Sequence, residues 1–436
     1  MLTAMPPSPA ATGAGRPGAG RSRDDACPGT LRLHQADDGF LARIRLPGGQ
    51  LTGGQALALA DAAQSLGDGG LELTSRGNVQ LRGLEAEAGA LLGTRLRAAG
   101  LLPSDRHERA RNILASPLSG LDGAGRADVS PWVRELDRSL CASEPLTGLS
   151  GRFLFALDDG RGDVAARDAD VTVTAGPERT ALVRPAGSAR ALRVPAERAA
   201  RCALLAAEEF LALAQRQGAR AWRVREADPD AVLLLPRLRD RLRQEGIDCA
   251  PAVAEPPPGA EPPGLGLVRA ADGRTALSVG TRFGRVSAEQ WRLLAEGAAD
   301  GSSELRVTPW RGVVLPDRQP RRLALLAEAG LLTEPGTAWS QATACTGRPG
   351  CAKSLADVRA DAEHALRGAA GSPRLVPVHW SGCERRCGHP SGHWVDVLAT
   401  TAGYRITVQG ADRPPGEAEV TTEQMAAASA AARRTT

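Results

Sequence analysis

Two stretches of this chain follow the same plan, and this internal repeat constrains the possible fold more than any other feature. The first stretch begins at Leu31 and the second at Leu265. Each opens with apolar and polar residues that alternate on both sides of an Asp-Gly turn, the pattern of a β-hairpin. A capping box then starts a helix, TGGQ from Thr52 in the first stretch and SAEQ from Ser287 in the second.

Two further short strands and a second helix complete each copy. The strand pairs lie at residues 71–83 and 304–316, and the closing helices end in AAGLL and EAGLL, where Gly100 and Gly330 suit a left-handed helix end. Each copy predicts the order ββαββα in about 75 residues, which is too few for a comfortable core. We therefore expect the two copies to pack together. Two unrelated modules with the same element order would leave the matched caps and ends unexplained.

The repeat divides the chain into alternating units. In chain order, the predicted units are a disordered leader (1–26), a first half-domain (27–105), a first module (106–250), a Pro-rich linker (251–264), a second half-domain (265–338) and a second module (339–436). Duplication of a unit made of one half-domain and one module is the simplest origin of this order.

Composition excludes several classes of protein. Hydrophobic residues make up 42% of the chain, yet no apolar run approaches the roughly 18 residues that a membrane span needs. The net charge is only +4 and aromatic residues amount to 3%, which leaves little to attract an anionic surface or to stack on bases. We expect a soluble, cytoplasmic protein with neither a nucleic acid nor a membrane as partner.

Four of the eight cysteines stand in two pairs near the C-terminus. Cys345 and Cys351 form C-x5-C, and Cys383 and Cys387 form C-x3-C, in segments rich in Gly and Pro. Four thiolates on two short loops can each bind a different iron of a [4Fe-4S] cluster while the backbone approaches the inorganic core. A zinc site would also use four thiolates, although its loops favour C-x2-C and C-x4-C. Nothing in the sequence suggests export, which argues against disulfides. Core thiols are the third alternative, since free cysteine is common in protein cores.

The remaining cysteines and the nearby histidines give weaker signals. The cysteines without ligand spacing are expected to be core or surface thiols, and they are Cys27, Cys141, Cys202 and Cys249. The histidines beside the second pair are His379, His389 and His393. Histidine at such a position can bind a second iron, deliver a proton or hydrogen-bond the loop backbone. The sequence leaves these three roles open.

These features together resemble the superfamily of sirohaem-dependent sulfite and nitrite reductases, and the resemblance covers nearly the whole chain after residue 26. Members alternate ferredoxin-like half-domains with larger modules, so the resemblance implies an α+β fold of that kind. It also implies that Cys345, Cys351, Cys383 and Cys387 bind a [4Fe-4S] cluster. In the superfamily the last of these cysteines, here Cys387, also bridges to the iron of the tetrapyrrole.

Two further segments carry the resemblance in the first half of the chain. LTSRGNVQLRG resembles the TTRxxxQ strand pair of the superfamily, which implies that Arg76, with Asn78 beside it, contacts an anion or a tetrapyrrole. RARNILASPLSG resembles the NRNV segment and gives Arg111 and Asn112 the same kind of role. These four residues are therefore candidate ligand contacts.

A third segment resembles the superfamily and also departs from it. LSGRFLFALDD is similar to LPRKFK, which puts Arg152 at the first of two basic positions and Leu154 at the second. The reductases surround a small oxyanion with four basic side chains, so a leucine here argues against sulfite or nitrite as substrate. Trp310 and Arg311 stand at the repeat position of Arg76, and we expect Arg311 to contact the substrate from the other half. For Trp310, core packing is the alternative.

The cluster segments, GRPGC and HWSGC with CGHP, most resemble the precorrin-3B synthases of aerobic cobalamin biosynthesis. That resemblance implies a monooxygenase that converts precorrin-3A to precorrin-3B, a hydroxylated γ-lactone, with O2 and electrons from NADH. Arginines would hold the many carboxylates of this substrate. Because no dinucleotide fold is predicted, we expect a separate protein to deliver the electrons. The predicted cofactors are the [4Fe-4S] cluster and a further iron; the alternative, a nitrite or sulfite reductase, would bind sirohaem.

Overall fold

The structure is a computed structural model. It describes residues 25, 27–254, 261–270, 272–296, 304–316, 319–369, 371–372, 375–390, 392–410 and 418–434. Nearly all of the predicted leader, the middle of the predicted linker and Ala271 of the second Asp-Gly turn lie outside the described residues. No helix within these ranges is both long enough and apolar enough to cross a membrane.

The first half-domain has the predicted order of elements plus one short extra strand. Its elements are β1 (His34–Ala36), β2 (Gly39–Ile44), β3 (Gln50–Thr52), α1 (Gly53–Leu66), β4 (Gly70–Leu73), β5 (Val79–Leu84) and α2 (Ala88–Ala98). The predicted capping box starts α1: the Gln55 N–H donates to the Thr52 hydroxyl at 3.2 Å, and the Thr52 N–H donates to the Gln55 side chain at 3.0 Å.

The first module is built on one mixed sheet. Its elements are β6 (Ile113–Ala115), α3 (Ser130–Ala142), β7 (Phe155–Asp158), β8 (Val171–Ala175), β9 (Thr180–Pro185), β10 (Arg190–Pro195), α4 (Ala199–Arg216), α5 (Val224–Ala227), α6 (Leu234–Gln244) and β11 (Ala250–Val253). Strands β6, β7 and β8 are parallel neighbours, and β8 to β11 continue the sheet antiparallel. Helices α3, α4 and α6 bury the apolar side chains of the largest core against it.

The second half-domain repeats the first element by element. It contains β12 (Gly266–Arg269), β13 (Thr275–Gly280), β14 (Arg285–Ser287), α7 (Ala288–Ala295), β15 (Glu304–Val307), β16 (Gly312–Pro316) and α8 (Arg322–Glu328). Its predicted capping box is also present, with Ser287 and Gln290 in the roles of Thr52 and Gln55. The predicted repeat is therefore confirmed at the level of individual caps.

The two half-domains exchange strands. Strand β3 pairs with β15 of the other copy, where Leu51 lies opposite Leu305, and β14 pairs with β4, where Val286 lies opposite Leu71. These four side chains are at most 1% exposed, and burial of each contributes about 2 kcal/mol. The copies share one core, which confirms that they pack together. The predicted order ββαββα was incomplete, since it lacked the exchanged strands.

The second module repeats the topology of the first on a smaller scale. Its elements are β17 (Ala342–Ala344), α9 (Val358–Leu366), β18 (Val378–Ser381), β19 (Trp394–Ala399), β20 (Tyr404–Gln409), β21 (Ala418–Val420) and α10 (Thr422–Ala432). Strands β17, β18 and β19 are parallel, and β20 and β21 follow antiparallel. The first three strands of both modules thus run in the same pattern, with one helix between the first two, which confirms the α+β class and the duplicated architecture.

Candidate functional site

The sheet of the second module brings the two cysteine loops together. Cys345 directly follows β17, and Cys383 follows β18 after a single glycine. Because β17 and β18 are parallel neighbours, both loops leave the sheet at the same edge. The Cys345 N–H donates to the Trp380 carbonyl oxygen at 2.9 Å, which extends the ladder of the two strands into the first loop.

Direct contacts also join the two loops. The Leu355 N–H donates to the Gly382 carbonyl oxygen at 2.9 Å, and the Gly382 N–H donates to Cys345 Sγ at 3.2 Å. A Cβ atom at Gly382 would lie 1.8 Å from Ser354 Oγ, so only glycine fits there. The loops are therefore positioned against each other by the protein itself.

The four thiols have the chemistry and the setting that a [4Fe-4S] cluster requires. Cys345, Cys351 and Cys383 are half-buried and Cys387 is exposed. Burial raises the pKa of Cys345, the N–H groups of Gly382 and Gly347 oppose this, and the negative charges of Cys387 and Cys383 add to it. In a [4Fe-4S] cluster each of these thiolates would bind a different iron.

The first half-domain holds the first cysteine loop in place. Arg82 on β5 forms a bidentate pair with Asp38 at 2.8 and 2.7 Å, and its Nη2 also donates to the Gly350 carbonyl oxygen at 2.9 Å. The Ala352 N–H donates to the Asp37 carboxylate. Asp37 and Asp38 belong to the Asp-Gly turn of the first hairpin. This turn therefore also contacts and positions the loop that carries Cys351.

A chain of polar contacts continues from the cysteine loop across the first half-domain. Arg359 donates from Nε to the Cys345 carbonyl oxygen at 3.1 Å and pairs through Nη1 with Glu72 at 2.7 Å. The Gln80 amide donates to the other oxygen of Glu72 at 3.0 Å and accepts from Arg43 at 3.0 Å. Residues of three neighbouring strands thereby connect the first cysteine loop to Arg43 on β2.

An ion pair anchors the loop between the second pair of cysteines. Arg386 has a positive φ of 45° and donates from Nε to Asp396 on β19 at 2.5 Å. Asp396 is 1% exposed, and its pKa is raised by burial, against the opposing effect of Arg386. Because Arg386 directly precedes Cys387, this ion pair fixes the position of Cys387 relative to β19.

The structure distinguishes the three histidines. His379 is fully buried on β18, its Nδ1 lies 2.8 Å from Thr343 Oγ1, and its Nε2 has no hydrogen-bond partner among the described residues. Burial lowers the pKa of His379 to about 3, with Arg311 and His389 acting in the same direction. His389 is exposed and stacks on Trp394 at 5.2 Å. His393 is exposed.

Three of the predicted ligand contacts meet around one backbone carbonyl. The Gly151 oxygen accepts from Arg76 Nη1 at 3.3 Å and from the Asn112 amide at 2.8 Å. The Asn78 amide donates to Asn112 Oδ1 at 3.3 Å and accepts from the Leu46 N–H at 2.9 Å. The two asparagines, each 1% exposed, therefore lock the turn that carries Arg76 against the first module.

Two arginines that the sequence did not single out lie beside Arg76. Arg45 is 3% exposed, and within the described ranges its Nη1 has no hydrogen-bond partner. Burial lowers its pKa to about 9, and the positive charges of Arg43 and Arg76 act in the same direction. Arg43 and Arg45 alternate with apolar residues along ARIRL, so their placement on one face of a strand was the signal that could have found them.

Two more of the predicted arginines are engaged away from this group. Arg111, 4% exposed, pairs with Asp137 through Nε and Nη2, both at 2.7 Å, and donates from Nη1 to the Leu101 carbonyl oxygen at 2.8 Å. Each of its three nitrogens therefore donates a hydrogen bond within the protein, and its charge is paired with that of Asp137. Arg152 is exposed and lies over the Trp222 ring at 4.8 Å.

Leu154 takes the position that the superfamily gives to a cation, and its surroundings are apolar. It is 4% exposed in a small cluster with Leu114, Ala156, Val164 and Ala169. A charged side chain could not be accommodated there without desolvation. The leucine that replaces a basic residue at position 154 is therefore part of an apolar cluster.

Arg311 connects the second half-domain to the second cysteine loop. Its turn repeats the turn of Arg76, and Arg311 has a φ of 59° where the first copy has Gly77 with a φ of 63°. Arg311 Nη2 donates to the Gly388 carbonyl oxygen at 3.1 Å, next to Cys387. The predicted contact residue thus lies beside the last cysteine.

Comparison with known proteins identifies relatives of both the half-domains and the whole chain. Residues 33–93 and 268–330 each match the nitrite/sulfite reductase ferredoxin-like half domain. A precorrin-3B synthase of a Sinorhizobium species is 28% identical over 405 residues, 89% of this chain and 83% of that protein. A ferredoxin–nitrite reductase of Synechococcus elongatus is 28% identical over 80% of this chain and 74% of that protein. The NirA protein of Mycobacterium tuberculosis shares the fold, with a TM-score of 0.69 at 20% identity over 89% of this chain and 79% of that one.

Proposed function

We propose that this chain, whose half-domains match the nitrite/sulfite reductase ferredoxin-like model and whose relatives include a precorrin-3B synthase and nitrite reductases, is an oxidoreductase of a carboxylate-rich tetrapyrrole and acts as a precorrin-3B synthase. In this proposal precorrin-3A is hydroxylated and closes a γ-lactone. One oxygen atom of O2 enters the macrocycle, and the other leaves as water with the reducing equivalents of NADH. A separate protein delivers those electrons. The similarity to the Sinorhizobium precorrin-3B synthase along most of both chains supports this substrate.

The observation that carries the proposal is the loss of one basic position and the neutralisation of a second by an ion pair. By resemblance, a small oxyanion would be surrounded by the residues at positions 76, 111, 152 and 154. Leu154 is packed among apolar side chains, and Arg111 is paired with Asp137 and bonded to the Leu101 carbonyl oxygen. The remaining cations are too few to hold nitrite or sulfite in the manner of the reductases. A large substrate with many carboxylates can instead use arginines that are spread over a wide surface.

Several described arginines suit that substrate. Arg76, Arg43 and Arg45 lie close enough for their positive charges to lower one another's pKa values, after the larger effect of burial. Arg45 has no carboxylate partner in the described chain, so an anionic group would relieve an unfavourable buried charge. Planar guanidinium groups hold carboxylates by paired hydrogen bonds, which orients them as well as binding them.

Cys345, Cys351, Cys383 and Cys387 would hold the [4Fe-4S] cluster, which when bound supplies single electrons. The backbone N–H of Gly382 already points at Cys345 Sγ, and such donors stabilise thiolate charge. Arg82 and Asp38 hold the first loop from the outside. Arg311 holds the second loop through Gly388, so the half-domains position both thiol pairs.

The test is turnover by the anaerobically purified and reconstituted protein. With precorrin-3A, a reductase, NADH and ¹⁸O2, we expect a product that contains one ¹⁸O atom by mass spectrometry. Product formed without O2, or labelled from H2¹⁸O instead, would contradict the proposal.

A sirohaem-dependent nitrite or sulfite reductase is the second candidate. The nitrite reductase of Synechococcus elongatus is as similar in sequence as the precorrin-3B synthase is, at 28% identity. An absorption spectrum and an assay of nitrite and sulfite reduction with a reduced dye separate the two. Sirohaem bands together with nitrite turnover would favour the second candidate, whereas a broad iron-sulfur absorption with no turnover would favour the first.

A further inference from the structure

Arg167 of the first module lies over the ring of Trp310 of the second half-domain. The guanidinium carbon is 4.6 Å from the centre of the indole ring. Arg167 belongs to the loop after β7, which corresponds in topology to the second cysteine loop after β18. Trp310 occupies the turn position that Arg76 occupies in the other copy. The pair therefore stands at the junction of two units and close to the candidate site.

Among the described residues Arg167 has no acidic partner, unlike its neighbour Arg161 on the same loop. Arg161 pairs with both Asp122 and Asp159, at 2.8 Å each. Within the described ranges Arg167 forms no ion pair, and its Nε is shielded from solvent without a hydrogen-bond partner. Burial lowers the pKa of Arg167, and only the charge of Asp163 opposes this effect. A partly buried cation without an anionic partner is unfavourable. An anion bound to Arg167 would therefore stabilise the folded protein.

Other positively charged side chains lie near Arg167. Burial lowers the pKa of Arg311, and the charges of Arg359 and Arg167 lower it further, so these guanidinium groups are neighbours. The nearby carboxylate of Glu72 is already taken up by Arg359 and Gln80. Among the described residues, Arg167 and Arg311 therefore have no carboxylate partner, whereas Arg359 has Glu72.

We propose that Arg167, stacked over Trp310, binds a carboxylate of the tetrapyrrole substrate from the side of the second half-domain. The inference rests on the proposed function and adds a residue that none of the sequence motifs contains. Stacking on an indole fixes the plane of the guanidinium and leaves its edge free for paired hydrogen bonds. In the first half-domain the turn supplies the arginine itself, as Arg76. In the second half-domain the same turn supplies Trp310, on which Arg167 of the first module stacks.

A binding titration tests this inference without turnover. The probe is uroporphyrin, a stable tetrapyrrole with an acetate and a propionate on every ring, added to the reconstituted protein and followed by its absorption. We expect Arg167→Gln to weaken binding about tenfold, since a charge-assisted hydrogen bond is lost. Arg167→Lys keeps the charge without the planar fork and should weaken binding by about threefold. Arg193→Gln, at an exposed position on β10, changes net charge equally and should leave the Kd within about twofold.

Thermal unfolding separates ligand binding from a structural role. Because Arg167 loses only its stacking on Trp310 and no carboxylate partner of the described chain, the Tm of Arg167→Gln should fall by at most about 2 °C. A larger fall in Tm together with weaker binding would make Arg167 a structural residue and overturn the inference. If Arg167→Gln bound uroporphyrin as tightly as the wild type does, Arg167 would have no role, and the proposed function would stand. If the wild type itself bound no uroporphyrin, both the inference and the proposed function would fail.

Discussion

The guanidinium of Arg82, on the first half-domain, donates a 2.9 Å hydrogen bond to the carbonyl oxygen of Gly350, the residue before Cys351. These two residues are 268 positions apart in the chain. The same guanidinium is locked by Asp38 in the turn of the first hairpin. The position of Cys351, a candidate cluster ligand in the second module, therefore depends on a contact with the first half-domain.

Replacement of Arg82 tests that dependence. Arg82→Ala should lower the free energy of unfolding by about 2 kcal/mol, because Asp38 loses its partner and Gly350 loses a charged donor. It should also lower the iron retained after reconstitution. Urea unfolding and iron analysis measure the two effects. Arg97→Ala is the control, since Arg97 and Asp105 are 43% and 48% exposed and such a surface pair contributes little to the free energy of unfolding. Equal losses of iron in both variants would contradict the prediction.

The ligand assignment of the cysteines is tested by single replacements. Cys383→Ala should lose most of the bound iron and sulfide after anaerobic reconstitution, because one corner of the cubane loses its thiolate. Cys249→Ala should keep both, since this half-buried thiol belongs to the first module and has no ligand spacing. Metal analysis that found zinc in the wild type, with little sulfide, would show the assignment to be wrong.

The sequence predicted the features that depend on neighbours in the chain. Thr52 and Gln55 identify a helix start because both halves of a capping box lie within one turn. The exchanged strands escaped prediction, since the three residues of β3 have their partner in β15, more than 250 positions later. A short strand carries no local signal when its pairing is distant. The same holds for the contact between Asp37 and the cluster loop.

The candidate site was predicted in part for a similar reason. Motif positions suggested Arg76, Asn78 and Asn112, which the structure gathers at Gly151. A motif cannot reveal that Arg111 meets Asp137 on α3, because the partner of a charge is set by tertiary packing. Arg167 was missed because its distinguishing property is the absence of a partner in the described chain, which only a structure can display.

Restoring the missing basic position should not create an oxyanion reductase. Leu154→Lys would bury an ammonium group among apolar side chains and lower the free energy of unfolding by about 3 kcal/mol. We expect no gain in nitrite or sulfite reduction with a reduced dye. Leu154→Met preserves volume and polarity and should cost less than about 1.5 kcal/mol. A stable Leu154→Lys protein that reduced nitrite would contradict both the packing argument and the proposed substrate.

Asp163 gives the chain a stability that depends on pH. Burial raises the pKa of Asp163 from 3.8 to about 6, the Ser116 hydroxyl opposes this, and the charges of Asp158 and Asp159 add to it. Between about pH 4 and pH 6 the folded protein therefore binds more protons at this site than the unfolded chain does. The contribution of Asp163 to stability is most favourable below this window and is lost as pH rises through it.

Asp163→Asn removes this titration while keeping an oxygen that can accept from Ser116. The free energy of unfolding of the variant, minus that of the wild type, should increase by about 2 kcal/mol from about pH 4.5 to about pH 7.5. Urea unfolding at the two pH values measures the difference. The sign is the test, because a carboxylate stabilised in its charged form would make the variant relatively less stable as the pH rises. A difference that is the same at both pH values would show that the Asp163 carboxyl titrates alike in the folded and unfolded chains.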